Sequence, residues 1–141
     1  MTNCTSKQLN FSPLGRKKVT GSFSGGSITS DGGLLLLREI DKKHKITDKL
    51  DSLVYDPRNP LYVTHKQGSM LRQRIYAIAA NYEDLNDHDY LRHDLAFQTV
   101  VNQNDELASS PTLCRLENRI TKAECVAMNI MKRVYENEKS N

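Results

Sequence analysis

The segment MLRQRIYAIAANYEDLNDHDYLRHD, residues 70–94, joins a clear helical pattern to the densest acidic stretch of the chain. Apolar side chains recur at intervals of four, three and four residues, as one face of an α-helix requires, at Leu71, Ile75, Ile78 and Tyr82. Arg72 and Gln73 fall on other sides of the same helix. The pattern predicts a core-forming helix with a basic edge over about residues 65–81.

The acidic stretch that follows holds five carboxylates and two histidines between residues 83 and 94. Such density is compatible with catalysis or metal binding, but neighbouring residues on one short helix point apart and do not converge on an ion. Asp84, Asp87 and Asp94 instead stand where carboxylates accept hydrogen bonds from the free amides of a helix start, and Arg92 can pair with one of them. We therefore predict caps and no metal site. The less favoured alternative is a divalent-cation site made from Asp87, His88, Asp89 and His93.

The rest of the chain is predicted to be mainly α. Residues 1–16 are polar and basic, which predicts a flexible arm. Residues 17–29 predict a small β-hairpin that turns at Gly25 and Gly26, and residues 30–137 predict helices. One of these helices opens with Ser110 as cap and Pro111 at the first helical position. The expected architecture is a single helical domain over residues 17–138 with an N-terminal hairpin.

The composition is that of a lean globular protein, with 38% hydrophobic residues and no tryptophan. No apolar run reaches the roughly 20 residues that a membrane span needs, and the N-terminus lacks the apolar core of a secretory signal. We therefore expect a cytoplasmic protein with no membrane partner. Cys4, Cys114 and Cys125 form no CxxC pair, so we expect reduced thiols, no zinc site and no cofactor.

Charge is distributed unevenly along the chain, although the net charge is only +3. Residues 1–30 carry four cations and no acid, and residues 42–74 carry eight cations and three acids. Residues 81–107 instead carry seven acids and one arginine. Two basic segments that flank an acidic one can produce a polarised surface suited to a nucleic acid. The alternative is an ordinary mixed and solvated surface.

Three segments carry a resemblance to a known family: SITSDGGLLLLREIDKK (27–43), YDPRNPLYVTHKQGSMLRQRIYAIAANYEDLNDHDYLRHDLAFQ (55–98) and LASSPTLCRLENRI (107–120). They are similar to the N-terminal part of DDE-type insertion-sequence transposases, in the DDE transposase group 1 family. In that family the helical region leads into an RNase H-like domain that carries the catalytic aspartates. The resemblance implies that this catalytic domain would lie beyond Asn141. We therefore expect a truncated, non-catalytic module rather than an enzyme, with no catalytic residue in the acidic stretch.

The resemblance also implies that this region recognises double-stranded DNA at the terminal inverted repeats of the element. The segment SSPTLCRLENR, residues 109–119, resembles the second helix of a helix-turn-helix unit, although the preceding loop is longer than the usual three or four residues. Arginine and asparagine can make bidentate contacts with guanine and adenine edges. The predicted base-contacting residues are Thr112, Arg115, Asn118 and Arg119. The predicted phosphate contacts, which add affinity without sequence information, are Arg16, Lys17, Lys18, Lys66, Arg72 and Arg74.

Two functions of different classes remain open at this point. The first is a DNA-binding module that occupies element ends, alone or as a homodimer, and competes with the complete enzyme. The second is a protein-interaction or inhibitor module, in which the acidic region from Glu83 to Glu106 imitates a phosphate backbone for a basic protein partner. Binding to an end-of-element duplex that weakens steeply with salt would favour the first.

Overall fold

A computed structural model describes residues 8–22 and 31–129 of the chain. A two-stranded hairpin is followed by short helices, as the mainly α prediction expected. The strands are β1 (Gln8–Leu14) and β2 (Lys17–Ser22). The helices are α1 (Leu34–His44), α2 (Ile46–Leu53), α3 (Gln67–Ala79), α4 (His88–Leu91), α5 (Leu95–Val101) and α6 (Ser110–Arg119). Single 3-10 turns lie at Pro60–Tyr62 and Leu85–Asp87, and residues 122–129 are again helical.

The hairpin forms earlier in the chain than predicted. β1 and β2 pair antiparallel, with Phe11 opposite Val19. Gly15 supplies the turn with φ of +56°, a left-handed conformation that glycine adopts without steric penalty. The prediction of a hairpin over residues 17–29, preceded by a flexible arm over residues 1–16, is therefore wrong, because β1 comes from the supposed arm. The predicted turn at Gly25 and Gly26 lies outside the described residues.

A buried arginine fastens the hairpin to the helices. The Arg38 guanidinium, from the middle of α1, donates to the Ser12 carbonyl at 2.8 Å and to the Pro13 carbonyl at 3.2 Å. It also donates to the Asn102 side chain at 3.1 Å, and its burial lowers the pKa of Arg38. The neighbouring Glu39 accepts from the Ser12 amide at 2.9 Å. A two-stranded ribbon is marginal alone, so these contacts give β1 its place in the fold.

Helix α3 is the centre of the helical part because both of its sides are covered. One side packs against α1 and α5, in a core cluster of Leu34, Tyr76, Ala77, Leu91, Phe97, Val100, Val101 and Leu107. The other side packs beneath α6, in a second cluster of Met70, Leu71, Ala108, Leu113 and Leu116. Most of the fold is thus built around this one helix.

The predicted apolar face of α3 is only partly correct. Leu71 is buried, and Ile75 and Tyr82 pack against the core, but Ile78 is 50% exposed. Gln73, expected to point elsewhere, is instead 1% exposed. Its amide donates to the Ala108 carbonyl at 2.9 Å and accepts from the Ala108 amide at 3.1 Å. Because this partner lies 35 residues away in the chain, helical periodicity could not reveal it.

His88 occupies the interior beside the same glutamine. Its side chain is fully buried, with Nδ1 located 3.1 Å from the Gln73 side-chain nitrogen. The ring meets Phe97 edge-on, with centroids 6.4 Å apart. Burial, followed by the charge of Arg74, lowers the pKa of His88 to about 4. The histidine is therefore a neutral core residue rather than a candidate ligand.

Candidate nucleic-acid interface

Helix α6 presents a polar face because its apolar side chains are used on the opposite side. Its cap is Ser109 rather than the predicted Ser110, with Pro111 in the first turn where its missing N–H is not needed. Leu113 and Leu116 are buried against α3 and the 85–87 turn. Thr112 is consequently half-buried at the edge, and Arg115 is exposed.

An open cleft of about 550 Å³ lies along this polar face and brings two predicted residues together. One wall is α6, with Thr112 and Arg115. The other wall is the segment that joins α2 to α3. We call this depression the α6 cleft; its lining residues are Arg58, Asn59, Tyr62, Val63, Thr64, His65, Thr112 and Arg115.

The wall opposite α6 is held in shape by its own polar side chains. Arg58 pairs with Asp56 at 2.7 Å and donates to the His65 carbonyl at 3.1 Å. The hydrogen bonds from Arg58 lower the pKa of Asp56 to about 2, with a smaller contribution from the charge of Arg119. Asn59 caps the Pro60–Tyr62 turn by accepting from the Leu61 amide at 3.1 Å. These contacts hold the two ends of the segment together.

Sequence reasoning missed this wall, although it carries two large apolar side chains at the surface. Leu61 is 86% exposed and Tyr62 is 85% exposed. A signal was present in the sequence, because Pro57 and Pro60 frame a turn whose apolar residues match no helical or strand period. Two adjacent apolar residues in such a turn could therefore have been predicted to be exposed.

Two further depressions extend the cleft towards the hairpin. The first shares Arg58 and Val63 with the α6 cleft and reaches Lys66, and the second continues from Lys66 to residues 101–103. The hairpin turn lies just beyond, since a Cβ at Gly15 would be 4.0 Å from the side-chain nitrogen of Asn104. The exposed cations Arg16, Lys17 and Lys18 lie at or directly after this turn. We call the whole path the basic track; it runs from Arg115 past Lys66 to the hairpin turn. Asp51 and Asp56 also line it, where Gln67 donates to Asp51 and Arg58 pairs with Asp56.

Two predicted DNA contacts on and near α6 are engaged inside the fold. Arg119 lies 3.0 Å from Asp56 and also donates to Gln67, which ties the end of α6 to the start of α3. Arg74 lies 2.6 Å from Glu117 and donates to the Glu83 carbonyl at 2.7 Å. Both guanidinium groups already have charged partners, which favours a structural role, and their contacts with DNA stay a prediction.

Arg72 is engaged in the same way, at a partly exposed junction between α1, α2 and α3. It lies 3.2 Å from Asp48 and 3.6 Å from Asp41, and donates to the Val101 carbonyl at 3.3 Å. Burial would raise the pKa of Asp41, but hydrogen bonds from Thr47 and Tyr76 outweigh it and lower that pKa. The carboxylate therefore stays charged beside Arg72, which favours a structural role for this arginine, and its phosphate contact stays a prediction. Asn118 remains exposed, with its amide 3.3 Å from the Cys114 sulfur.

The acidic stretch is used mainly to start helices and turns. Asp84 accepts from the Asn86 amide at 2.9 Å, and Asp94 accepts from the Phe97 amide at 2.6 Å, so two of the three predicted caps are confirmed. The predicted cap at Asp87 is wrong, because Asp87 precedes α4 but its side chain makes no capping hydrogen bond. Arg92 pairs with Glu106 at 2.9 Å and not with a capping aspartate, which corrects that part of the prediction. Within residues 8–22 and 31–129, no three His, Cys, Asp or Glu side chains group closely enough to hold a metal ion.

The predicted helix-turn-helix unit remains a prediction. Residues 102–109 separate α5 from α6, and α6 packs on α3 and the 85–87 turn. After α6, Thr121 and Glu124 form reciprocal hydrogen bonds, a capping box that opens the helical residues 122–129. No helix of the described part of the chain is both long and apolar enough to cross a membrane.

Comparison with known proteins gives one match. The sequence model of the family described as transposase DDE domain group 1 matches residues 11–139. No curated protein and no solved structure matches the chain.

Proposed function

The chain belongs to the transposase DDE domain group 1 family, and on that premise we propose that it binds the double-stranded DNA of its insertion sequence at the element ends. The observation that carries the proposal is the α6 cleft, in which Thr112 and Arg115 face an open groove at the start of the basic track. Both side chains are of types that contact base edges, arginine by a bidentate pair to guanine and threonine by its hydroxyl or methyl group.

The basic track supplies the sequence-independent part of binding in this proposal. Lys66, Arg16, Lys17 and Lys18 are exposed, and salt-dependent neutralisation of phosphates accounts for much of the affinity of such proteins. This set leaves out the three arginines that are paired with acidic side chains, which are Arg72, Arg74 and Arg119. The proposed contacts are therefore fewer than the sequence suggested and lie along one path.

We further propose that this part of the chain neither cuts nor joins DNA strands. Strand transfer of the DDE type needs carboxylates gathered around two metal ions about 3.5–4 Å apart. In the acidic stretch, Asp84 and Asp94 bind helix amides, and Asp89 accepts from the Ser110 amide at 3.2 Å. Carboxylates that bind backbone amides in this way stabilise the starts of helices and do not converge on one metal position.

The test is fluorescence anisotropy with a labelled element-end duplex, measured over a series of salt concentrations. Arg115→Ala should weaken binding to the cognate duplex by about 1–3 kcal/mol and leave a scrambled duplex nearly unaffected, because a base contact is lost. Lys66→Ala should weaken both duplexes and reduce the salt slope by about 1. Lys43→Ala is the control, since Lys43 is exposed at the end of α1 and does not line the α6 cleft. Equal affinity of Arg115→Ala and the parent protein for the cognate duplex would refute the interface.

The alternative of a protein-interaction module has less support. Four of the seven carboxylates of its acidic surface already have partners, since Glu106 is paired with Arg92, and Asp84, Asp89 and Asp94 accept from backbone amides. If the protein shows no DNA binding at low salt and captures a basic protein instead, this alternative replaces the first proposal.

A further inference from the structure

We propose that the Pro60–Tyr62 turn is a wedge that enters the bound duplex and opens one base step beside the α6 contact. The inference rests on the proposed function, because it places the wedge on the same DNA that α6 contacts. It adds a second mode of recognition, in which the deformability of a base step is read rather than the edge of a base.

The first observation is the exposure of an adjacent apolar pair. Leu61 and Tyr62 are the two most exposed large hydrophobic side chains in the part of the chain that the structure describes, at 86% and 85%. Single exposed apolar residues are ordinary and need no explanation. Two consecutive ones at the tip of a turn can enter a narrow space together, which is the form of the apolar wedges that DNA-bending proteins insert between base pairs.

The second observation is that the tip is held rigid from both sides. Asn59 caps the turn, and Pro60 fixes the backbone at its first position. Arg58 bridges Asp56 and the His65 carbonyl across the base of the segment. A preorganised tip loses little conformational entropy when it inserts between bases. More of the free energy gained by burying Leu61 and Tyr62 can therefore offset the free energy cost of unstacking the bases.

The third observation is position and charge. Tyr62 lines the α6 cleft together with Thr112 and Arg115, so a duplex that contacts α6 passes directly by the tip. Lys66 follows a few residues later on the basic track, where it can hold a phosphate next to the opened step. Asp51 and Asp56 line the same depression but are engaged by Gln67 and Arg58. The exposed cations Arg115 and Lys66 therefore favour DNA over a second copy of the chain as the occupant of the apolar tip.

The probe is a duplex selected from a randomised pool by the parent protein, with 2-aminopurine placed in turn at each adenine position of either strand. Unstacking of a base raises the fluorescence of 2-aminopurine. The parent protein should produce a rise at one step only. Leu61→Ala and Tyr62→Ala should each reduce that rise in fluorescence. The two substitutions together should raise the Kd for the duplex by about tenfold. The slope of log affinity against log salt should stay the same, because no phosphate contact is lost.

Leu95→Ala and Tyr90→Ala are the matched controls, since these residues are of the same two types, are also strongly exposed and do not line the α6 cleft. Both controls should retain the fluorescence rise and the affinity. Circular dichroism of all four variants checks that each one is folded, as expected for substitutions at exposed positions.

Three results would overturn the wedge. If the parent protein binds the duplex and no position brightens, the wedge fails and the proposed function stands. If Leu61→Ala and Tyr62→Ala leave DNA binding intact but dissociate a dimer in sedimentation, the turn binds a second copy of the chain. If the parent protein selects no duplex at all, the proposed function fails and the wedge fails with it.

Discussion

Replacing Arg119 with alanine should destabilise the protein, whereas the same change at Arg115, one helical turn earlier, should not. The Arg119 guanidinium contacts Asp56 and Gln67, which lie 63 and 52 residues away in the chain. It therefore ties α6 to the segment before α3. Arg115 is exposed and lines the α6 cleft. The two arginines lie on the same helix and differ in what they contact, which makes them a matched pair.

The size of the effect follows from these contacts. A hydrogen bond to a charged group contributes about 1.5–3 kcal/mol, and Arg119 makes two. Solvent screens part of this, because the side chains of Arg119 and Asp56 remain 21% and 29% exposed. Asp56 also keeps Arg58 as a partner, so no unpaired charge is left behind. We expect Arg119→Ala to lower the free energy of unfolding by about 2 kcal/mol and Arg115→Ala by less than about 0.5 kcal/mol.

Urea unfolding followed by circular dichroism measures both variants. With a denaturant slope of about 1–3 kcal/mol per molar, Arg119→Ala should lower the midpoint by about 1 M and leave the slope unchanged. In anisotropy measurements without urea, Arg119→Ala should keep the affinity of the parent protein for the cognate duplex. Arg115→Ala should bind that duplex more weakly, by about 1–3 kcal/mol. If Arg119→Ala keeps the parent midpoint and loses DNA binding, Arg119 is a DNA contact and its structural assignment is refuted.

Two further predictions concern pH and packing. The pKa of His88 is about 4 in the fold, below its unfolded value of about 6.5. As the pH falls, the unfolded chain therefore binds a proton before the folded protein does. The free energy of unfolding should fall by about 3 kcal/mol between pH 6.5 and pH 4. Acid unfolding of His88→Gln should lack most of this loss, and His93→Gln, at an exposed histidine, should retain it. Gly68→Ala would place a Cβ 2.8 Å from Asp51 Oδ2. Asp51 cannot move aside without cost, because its Oδ1 accepts a hydrogen bond from the Gln67 side chain. Urea unfolding of this variant should therefore show a free energy of unfolding lower by about 1 kcal/mol.

Each of these has an outcome that contradicts it. A free energy of unfolding that stays flat between about pH 6.5 and 5 would show that His88 is not kept neutral by burial. Gly33→Ala is the control for the packing variant, since a Cβ there meets no atom within 4 Å. If both glycine variants gain stability equally, Asp51 moves aside freely and the close approach is unimportant.

Local signals in the sequence predicted local structure well. Proline after serine located the start of α6 to within one residue, and the Asp84 and Asp94 caps depend only on amides two or three residues away. The mainly α class follows from the same periodicities. A hydrogen-bonding group whose partner lies within about five residues can be predicted from the sequence.

Partners that are distant in the chain explain what was missed. The acidic partners of Arg72, Arg74 and Arg119 lie at least 24 residues away in the chain, so the sequence could not show that these arginines are paired. Gln73 was placed at the surface because its partner is a backbone group in the loop before α6. A sequence pattern assigns faces to a helix, but the tertiary fold decides which polar side chains are enclosed.

The Arg38 contact has a consequence for the order in which the molecule assembles. Its guanidinium joins the ribbon of β1 and β2 to α1 and to Asn102 at the end of α5. The ribbon's own hydrogen bonds to the helices go to Arg38 and Glu39, so the ribbon can dock once α1 has formed, and Asn102 then fixes the position of the guanidinium. We therefore expect the amides of the ribbon to acquire protection from hydrogen exchange after those of α1 during refolding.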